Sequence, residues 1–371
     1  MSEFAGELDW TRTHMPLTRR QCELLPDLSQ TRIAFSIHFD IKMVPAIEGV
    51  MAREANVFLT TCNPSTVRDQ VIGHLKKEGA EARAWKDMPE AEFAQSVDEA
   101  IAWGPTHLCE MGAELTQRIH RGQSSGVLCG LEATGSGIAR TRALSLLYPI
   151  FNWDDLPIKE GLHNRWPVGL STWQAFCART RLSLHRKHVV VVGFGLVGQG
   201  LAESARAFGG SVTVVERDPA RLLQARYAGW DASDMTPEIL GRADVIVTAT
   251  GARGVIRASD IAQLREGCFL LNSGHLADEI DVEALGPRRE VIPFVEEARP
   301  AGKAIYLFAG GSMANLVAGE GDSLNTFDVT LATMVAGIGH IVTKGSKAPP
   351  GLHLLPQEVW EPVAAGAAAS S

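Results

Sequence analysis

No run of 18 apolar residues occurs in the chain, so no membrane-spanning helix is expected and no membrane partner. Nor is there a block of lysine and arginine. The 35 basic residues are outnumbered by 43 acidic ones, and a formal charge of −8 argues against nucleic acid as the main partner. Cysteine is sparse: Cys22, Cys62, Cys109, Cys129, Cys177 and Cys268 show neither CxxC nor CxxH spacing. That scatter fits reduced cytoplasmic thiols better than disulfides or a zinc site, and no metal is expected. The opening stretch MSEFAGELDW is acidic and lacks an apolar core, so it does not read as a secretory signal, and a cytoplasmic location is expected. What remains is a 371-residue chain with 45% hydrophobic and 21% charged residues, ordinary for a soluble globular protein and long enough for two cores.

From about Thr31 to Leu128 short apolar runs alternate with helical periodicity. RIAFSIHF and NVFLTTCN read as strands. MVPAIEGVMARE and STVRDQVIGHLKKEGA read as helices, the second with Ser65 or Thr66 as cap and the Gly79 region as stop. A second series follows: the strand HVVVVGFG, the helix VGQGLAESARAFG, the strand SVTVVERD, the helix PARLLQARYAG, and two further strands in ADVIVTATG and GCFLLNSG. Alternation of this kind predicts an α/β protein with two doubly wound domains. Between the series lies Tyr148 to Gly169, YPIFNWDDLPIKEGLHNRWPVG, too long and irregular for a simple connector and of the kind that carries function. TFDVTLATMVAGIGHIVTKG predicts a long apolar helix stopped near Gly345, and the alanine-rich tail is expected to fray. The expected domains are 1–171 with 318–345 for substrate, 172–317 for a dinucleotide, and 346–371 as a tail.

Gly193, Gly195 and Gly198 form GxGxxG directly after four valines and at the head of a helix. The first glycine permits a tight turn, the second lets backbone approach a pyrophosphate, and the third lets helix pack on strand. The helix N-terminus favours the phosphates. Glu216 ends the next strand at about the 20-residue spacing where a ribose-binding acid belongs. Its carboxylate accepts from ribose hydroxyls and repels a 2′-phosphate, so NAD is expected rather than NADP, a preference that neighbouring Arg217 weakens.

A second set of polar residues sits at strand ends: His38 in IHFD, Cys62 and Asn63 in TTCN, Asn272 and His275 in LNSGHLADEID, and Asn315 in the glycine-rich SMANLVAGEGD. Ligands of open α/β sheets bind outside the carboxyl ends of strands. Taken singly, such residues more often only cap or bridge.

Taken in order, the segments resemble the S-adenosyl-L-homocysteine hydrolase family. IHFD, TTCN, AWK, EMGAELT, EATGSG, PIFNWDD…K…HN, GFGLVGQG, ERDP, NSGHLADEID, ANLVAGEGD and GLHLLP stand for that family's LHMT, SSCN, AWK, DDGGDLT, EETTTG, PAINVND…K…DN, GYGDVGKG, EIDP, NIGHFDVEID, VNLGCATGH and GVHFLP. The match runs from about Ile33 to about Pro356. The resemblance implies a two-domain fold, tightly held NAD and a homo-oligomer, dimer or tetramer. It also implies a reaction on a nucleoside, in which a sugar hydroxyl is oxidised to a ketone, the acidified neighbouring proton is removed, a β substituent leaves, and the stored hydride returns.

Carried over residue by residue, the resemblance places His38, His275 and Asn315 in the substrate and nicotinamide cleft. It gives Lys159 the assistance of hydroxyl oxidation, makes Asn164 the asparagine of the same loop, and sets Thr134 and Ser136 against NAD. Gly193, Gly195, Leu196, Val197, Gly198, Glu216, Arg217, Thr250, Gly251, Asn272 and Gly274 complete the expected cofactor set, together with Asn164 and His275. The departures are equally specific. Met111 and Ala133 replace two family carboxylates, leaving Glu110 and Glu132 beside them. His163 replaces an aspartate, Asp322 a histidine, and Asp40 and Lys42 a threonine and a glutamate. Leu196 and Gln199 replace the charged pair of the family's turn, and its C-terminal Lys/Tyr tail is absent. Glu110, Glu132 and His163 join Lys159, His38 and His275 as expected catalytic groups, and Asp40, Asn63, Asn164 and Asp322 as substrate contacts. A retained redox half with an altered acid–base half points to a dehydratase or lyase, of the kind known in angustmycin antibiotic biosynthesis. An authentic adenosylhomocysteine hydrolase and an NAD-bound regulatory paralogue are the alternatives.

Overall fold

The computed structural model describes residues 2–122 and 126–370. It divides into two compact units, Met1–Lys159 with Leu324–Ser371, and Glu160–Ser323. The division falls at Lys159 and Leu324, so the helical turn after Lys159 and the loop up to Ser323 go with the second unit.

The first unit is built on strands β1 (Arg32–Ile37), β2 (Asn56–Thr61), β3 (Glu81–Ala82), β4 (His107–Glu110), β5 (Cys129–Glu132) and β6 (Pro149–Asn152). The second contributes β7 (His188–Val192), β8 (Ser211–Val215), β9 (Asp231–Ser233), β10 (Val245–Thr248), β11 (Cys268–Asn272), β12 (Arg288–Ile292), β13 (Val295–Ala298) and β14 (Ile305–Phe308). The chain then returns to the first unit with β15 (Gly351–Leu354). Among the described residues the first sheet runs β15-β6-β5-β4-β1-β2-β3, parallel throughout. The second runs β12-β13-β14-β11-β10-β7-β8-β9, parallel except for the β12–β13–β14 edge. Each sheet therefore reverses direction beside its own first strand, at β1/β4 and at β7/β10. Such switch points are where doubly wound sheets hold ligands, outside the carboxyl ends of the strands.

The strands are near-continuous apolar runs because both faces are covered, as in β7, where Val189 to Val192 are buried. The helix Leu324–Thr343 contains no unbroken apolar run of 18, yet it is long and apolar enough to cross a membrane by length and mean composition. It is instead a core helix of the first unit, where Leu331, Met334, Val335, Ile338 and Ile341 join the main cluster. Gly337 lets it approach β5 closely, since a Cβ there would stand 3.0 Å from the Leu131 methyls. Its Asp328 accepts from Leu17 N, Thr18 N and Thr18 Oγ1 (2.9, 2.7 and 2.7 Å) and so caps the helix Pro16–Glu23, whose own Met15 offers no capping side chain.

Three expectations are corrected. The helix expected from Ser65 begins only at Asp69, because Asn63 caps a short turn Pro64–Thr66 and Val67 stays extended to pair with Phe39. The span Tyr148 to Gly169 is not a loop: it holds β6, a π-helical turn Lys159–Asn164 and the start of the helix Trp166–Thr180. The tail does not fray, since Gln357–Ser370 is helical. Alanine is the best helix former, and Val363 packs on Ala332 and Ala336.

Candidate functional site

In the second unit the phosphate turn has the geometry that its glycines require. Gly193 has φ +101°, and a Cβ on it would lie 2.7 Å from Ala249 O. A Cβ on Gly198 would sit 1.9 Å from Gly193 O. Gly195 faces open space, where a Cβ would meet only Arg221 Nη1 at 3.8 Å. The bare backbone thus forms a cradle for phosphate at the N-terminus of the helix Leu196–Ala207. Leu196 and Val197 are half-buried in its first turn. Arg221, unremarked in the sequence, offers a positive charge beside that cradle; its signal was its place in the first turn after ERDP.

Glu216 is buried and accepts from Phe194 N (2.7 Å) and Asp218 N (2.9 Å). A carboxylate has about four acceptor positions, so capacity for ribose hydroxyls remains. Arg217 is exposed. Thr250 and Gly251 follow β10 and are pinned by Glu279, which accepts from Thr250 N, Thr250 Oγ1 and Gly251 N at 2.9, 2.8 and 2.8 Å. Glu279 is fully buried, and burial raises its pKa above the usual carboxylate range despite those donors. Gly274 is glycine because a Cβ would stand 1.9 Å from Glu279 Oε1. The signal for Glu279 in the sequence is its place in the DEID of LNSGHLADEID.

Asn272, expected to bind the cofactor, is committed locally. Its amide donates to Gly274 O and Leu276 O and accepts from Thr248 Oγ1 and Gly274 N (3.2, 2.7, 3.1 and 2.8 Å). It shapes the turn that carries half-buried His275 and is a positioning residue. Further along, Asn315 donates through Nδ2 to Ser171 Oγ (3.3 Å), and Ser171 donates to Asp322 (2.6 Å). Asp322 stands 3.3 Å from His163 Nε2. The two departures from the family pattern, a histidine for an acid and an acid for a histidine, thus face each other as one pair. The half-buried Asn164 ends the same π-helical turn as His163. Asn315 Oδ1 is buried with no hydrogen-bond partner among the described residues. The open glycine cradle, the spare capacity of Glu216 and this orphaned acceptor fit a dinucleotide.

In the first unit the carboxyl edge of the sheet collects His38, Cys62, Glu110, Glu132 and Asn152. His38 Nδ1 lies 2.8 Å from Thr66 Oγ1 and 3.5 Å from Cys62 Sγ. Thr66 donates its hydroxyl proton to Asn63 O (2.8 Å), so its oxygen is placed to accept from His38 Nδ1–H. Burial pushes the Cys62 thiol well up, which removes it as a nucleophile. Asn63, expected as a substrate contact, accepts at Oδ1 from Ser65 N and Ser65 Oγ and so caps the turn that follows. Asp40 caps its own turn through Lys42 N (2.8 Å) and pairs with buried Lys42 Nζ at 3.0 Å.

Glu110 and Glu132, expected as acid–base groups, are committed to the loops around them. Glu110 accepts from Leu115 N (2.8 Å) and from Thr116 N and Oγ1 (3.2 and 2.5 Å). Glu132 accepts from Gly112 N, Ala113 N, Thr134 N and Thr134 Oγ1 at 2.9, 2.9, 2.9 and 2.7 Å. Both knit the loops after β4 and β5 and are fully enclosed. Thr134 likewise caps the helix Gly135–Arg142 through Gly137 N, with Ser136 3.3 Å away, so its hydroxyl serves the fold. Burial, against those donors, lifts Glu110 to about 7 and Glu132 to about 8.

An acid raised on folding stabilises fully below its unfolded pKa, and that contribution is lost as pH climbs through the folded value. For Glu110 the loss between pH 4.5 and 7 is about 3 kcal/mol. Glu110→Gln, in which Thr116 Oγ1 can turn to accept from the amide, is expected to lessen the fall in thermal midpoint between pH 5 and 8. An unchanged slope would show that Glu110 is ionised throughout.

Lys159 is nine-tenths buried and held by Asp154 at 3.2 Å, above the Trp153 ring at 6.0 Å. Asp154 is placed by Asn152, whose Oδ1 accepts from Asp154 N and Asp155 N (2.9 and 3.2 Å). The signal for Asp154 in the sequence is its place in NWDD, five residues before Lys159. Among the described residues no group of three His, Cys, Asp or Glu could hold a metal ion, and all six cysteines are unpaired.

A family model described as the S-adenosyl-L-homocysteine hydrolase NAD-binding domain matches residues 171–321, and one described as S-adenosyl-L-homocysteine hydrolase matches residues 8–136. The S-inosyl-L-homocysteine hydrolase of Methanopyrus kandleri is 32% identical over 96% of this chain and 88% of its own. The adenosylhomocysteinase of Pyrobaculum aerophilum is also 32% identical, over 96% and 90%. Among solved structures, a putative D-3-phosphoglycerate dehydrogenase from Ralstonia solanacearum has a TM-score of 0.51 at 13% identity, covering 86% of this chain and 98% of that one. That likeness concerns the fold alone.

Proposed function

The chain belongs to the S-adenosyl-L-homocysteine hydrolase family and uses NAD, and from that premise we propose that it dehydrates a hydroxylated nucleoside. When bound, NAD supplies a reversible acceptor for one hydride. Lys159, acting as the neutral amine and oriented through one N–H by Asp154, takes the proton of the sugar hydroxyl as that carbon is oxidised and becomes the ammonium. The new ketone acidifies the adjacent C–H. His38, oriented through Nδ1 by Thr66, is the group that removes that proton. The β hydroxyl departs with a proton as water, a carbon–carbon double bond forms, and the ketone is reduced by the same hydride. The net change is loss of one water, with no net redox.

The observation that carries this reading is the state of the β4 and β5 ends. Glu110 and Glu132 are consumed by backbone N–H groups, and their neighbours Met111 and Ala133 are apolar and buried. Among the described residues at those two strand ends, neither carboxylate is disposed to activate water for addition, and Lys159 and His38 remain as the proposed proton-transfer groups. Elimination is therefore favoured over hydrolysis. The second reading, hydrolysis of an S-nucleosyl-homocysteine thioether, is favoured by the names of the relatives. A panel of hydroxylated nucleosides, read by mass, is expected to yield a product lighter by one water with no NADH accumulating. Release of homocysteine thiol from S-inosyl- or S-adenosylhomocysteine without any dehydration would replace the proposal with the second reading. Persistent net NADH would sink both.

A further inference from the structure

We propose that Ser171 and Asp322 form a latch that fixes the amide of Asn315, so that its oxygen selects the carboxamide N–H of NAD. The inference rests on NAD binding and on Asn315 as a nicotinamide contact, not on the fate of the substrate. Asn315, Ser171, Asp322 and His163 all lie in Glu160–Ser323, and each is nine-tenths or more buried.

The direction of each hydrogen bond follows from counting protons. A serine hydroxyl has one proton to give and two lone pairs. Ser171 Oγ stands 2.6 Å from Asp322 Oδ1 and 3.3 Å from Val168 O, so the proton goes to the nearer, anionic acceptor. Ser171 can then only accept from Asn315, which must turn Nδ2 toward it. Oδ1 is thereby forced to the opposite side, where it is buried and finds no donor among the described residues. His163, 3.3 Å from Asp322, holds the carboxylate at the far end. A buried acceptor left without a donor is costly, so the missing partner is expected to be a ligand N–H.

Position names that N–H. A dinucleotide crosses the sheet at the switch point. Glu216, at the end of β8, takes the adenosine ribose on one side. Asn315 follows β14, on the other side, beyond β10 and β11. The group that lands there is the nicotinamide, whose carboxamide carries an NH2.

The test titrates the cofactor-free protein with NAD, with 3-acetylpyridine adenine dinucleotide, which has a methyl ketone in place of the carboxamide, and with ADP-ribose, which lacks the ring. The wild type is expected to prefer NAD over the ketone analogue by on the order of tenfold or more. Asn315→Ala should abolish that preference. Ser171→Ala and Asp322→Ala should cut it at least threefold while leaving ADP-ribose affinity unchanged, and Ser171→Thr, which keeps the hydroxyl, should restore it. Wild-type selectivity in Ser171→Ala overturns the latch. Parallel weakening of ADP-ribose assigns Ser171 a merely structural role and also overturns it. Wild-type selectivity in Asn315→Ala removes the amide contact itself, leaving both NAD binding and the dehydration reading to their own tests.

Discussion

Lys159→Ala should lose turnover by about 10²- to 10⁴-fold, the range that a positioned proton-transfer group supplies, while the purified protein keeps its NAD. The separation of the two effects follows from placement. Lys159 is held by Asp154 in the first unit, whereas the glycine cradle and Glu216 are held by contacts of their own within the second. Truncation also leaves buried Asp154 without its cation, so a modest loss of stability is expected alongside. Lys159→Arg keeps the charge but cannot act as a neutral base, and it should restore stability without activity. The measurements are product formation by mass, NAD content of the denatured protein, and thermal midpoint. Full turnover in Lys159→Ala would show that another group takes the hydroxyl proton.

Gly200→Ala, a change of one methyl, is expected to destabilise the second unit by about 3 kcal/mol or more. Gly200 lies on the helix Leu196–Ala207 where it crosses the start of the helix Trp166–Thr180. A Cβ at Gly200 would stand 1.5 Å from Arg165 O, and one at Gly169 would stand 2.4 Å from Gly200 C and O. The obstruction is backbone against backbone, so no side-chain rotation relieves it. The thermal midpoint of this unit should fall by about 6–12 °C. Because the displaced helix carries the phosphate turn at its N-terminus, NAD retention should fall with it. Gly73→Ala is the control. It sits inside the helix Asp69–Lys77 with nothing within 4 Å of its Cβ position, and it should gain up to about 1 kcal/mol from helix propensity. Equal stability of the two variants would show that the helices separate freely.

What could be read from the sequence was whatever is local. Four valines before GFG give a buried parallel strand, and GxGxxG gives the turn. Lys159 and Asp154 lie within one short segment. What escaped was set by partners distant in sequence. The start of the helix at Asp69 is decided by Val67 pairing with Phe39. Glu110 and Glu132 look like acid–base groups in isolation, and only the folded loops show backbone N–H groups turned onto them. Asn272 looks like a ligand contact until Gly274 and Leu276 are seen closing a turn on it. Ser171 carried no motif at all, because its meaning comes from Asp322 and Asn315, each well over a hundred residues away.

The first unit is discontinuous, and that has a consequence for synthesis on the ribosome. Its strands β1 to β6 emerge early, but Leu324–Thr343, which covers β5 and supplies Asp328 to cap Pro16–Glu23, comes only after the whole of Glu160–Ser323. The second unit is continuous and can complete its sheet while the first still exposes an apolar strand face. Domains fold as units during translation, so the inserted unit is the one that finishes first, and the N-terminal half waits longest with its core open. Conditions that slow elongation after Lys159 should therefore aggregate this protein through its first unit rather than its second.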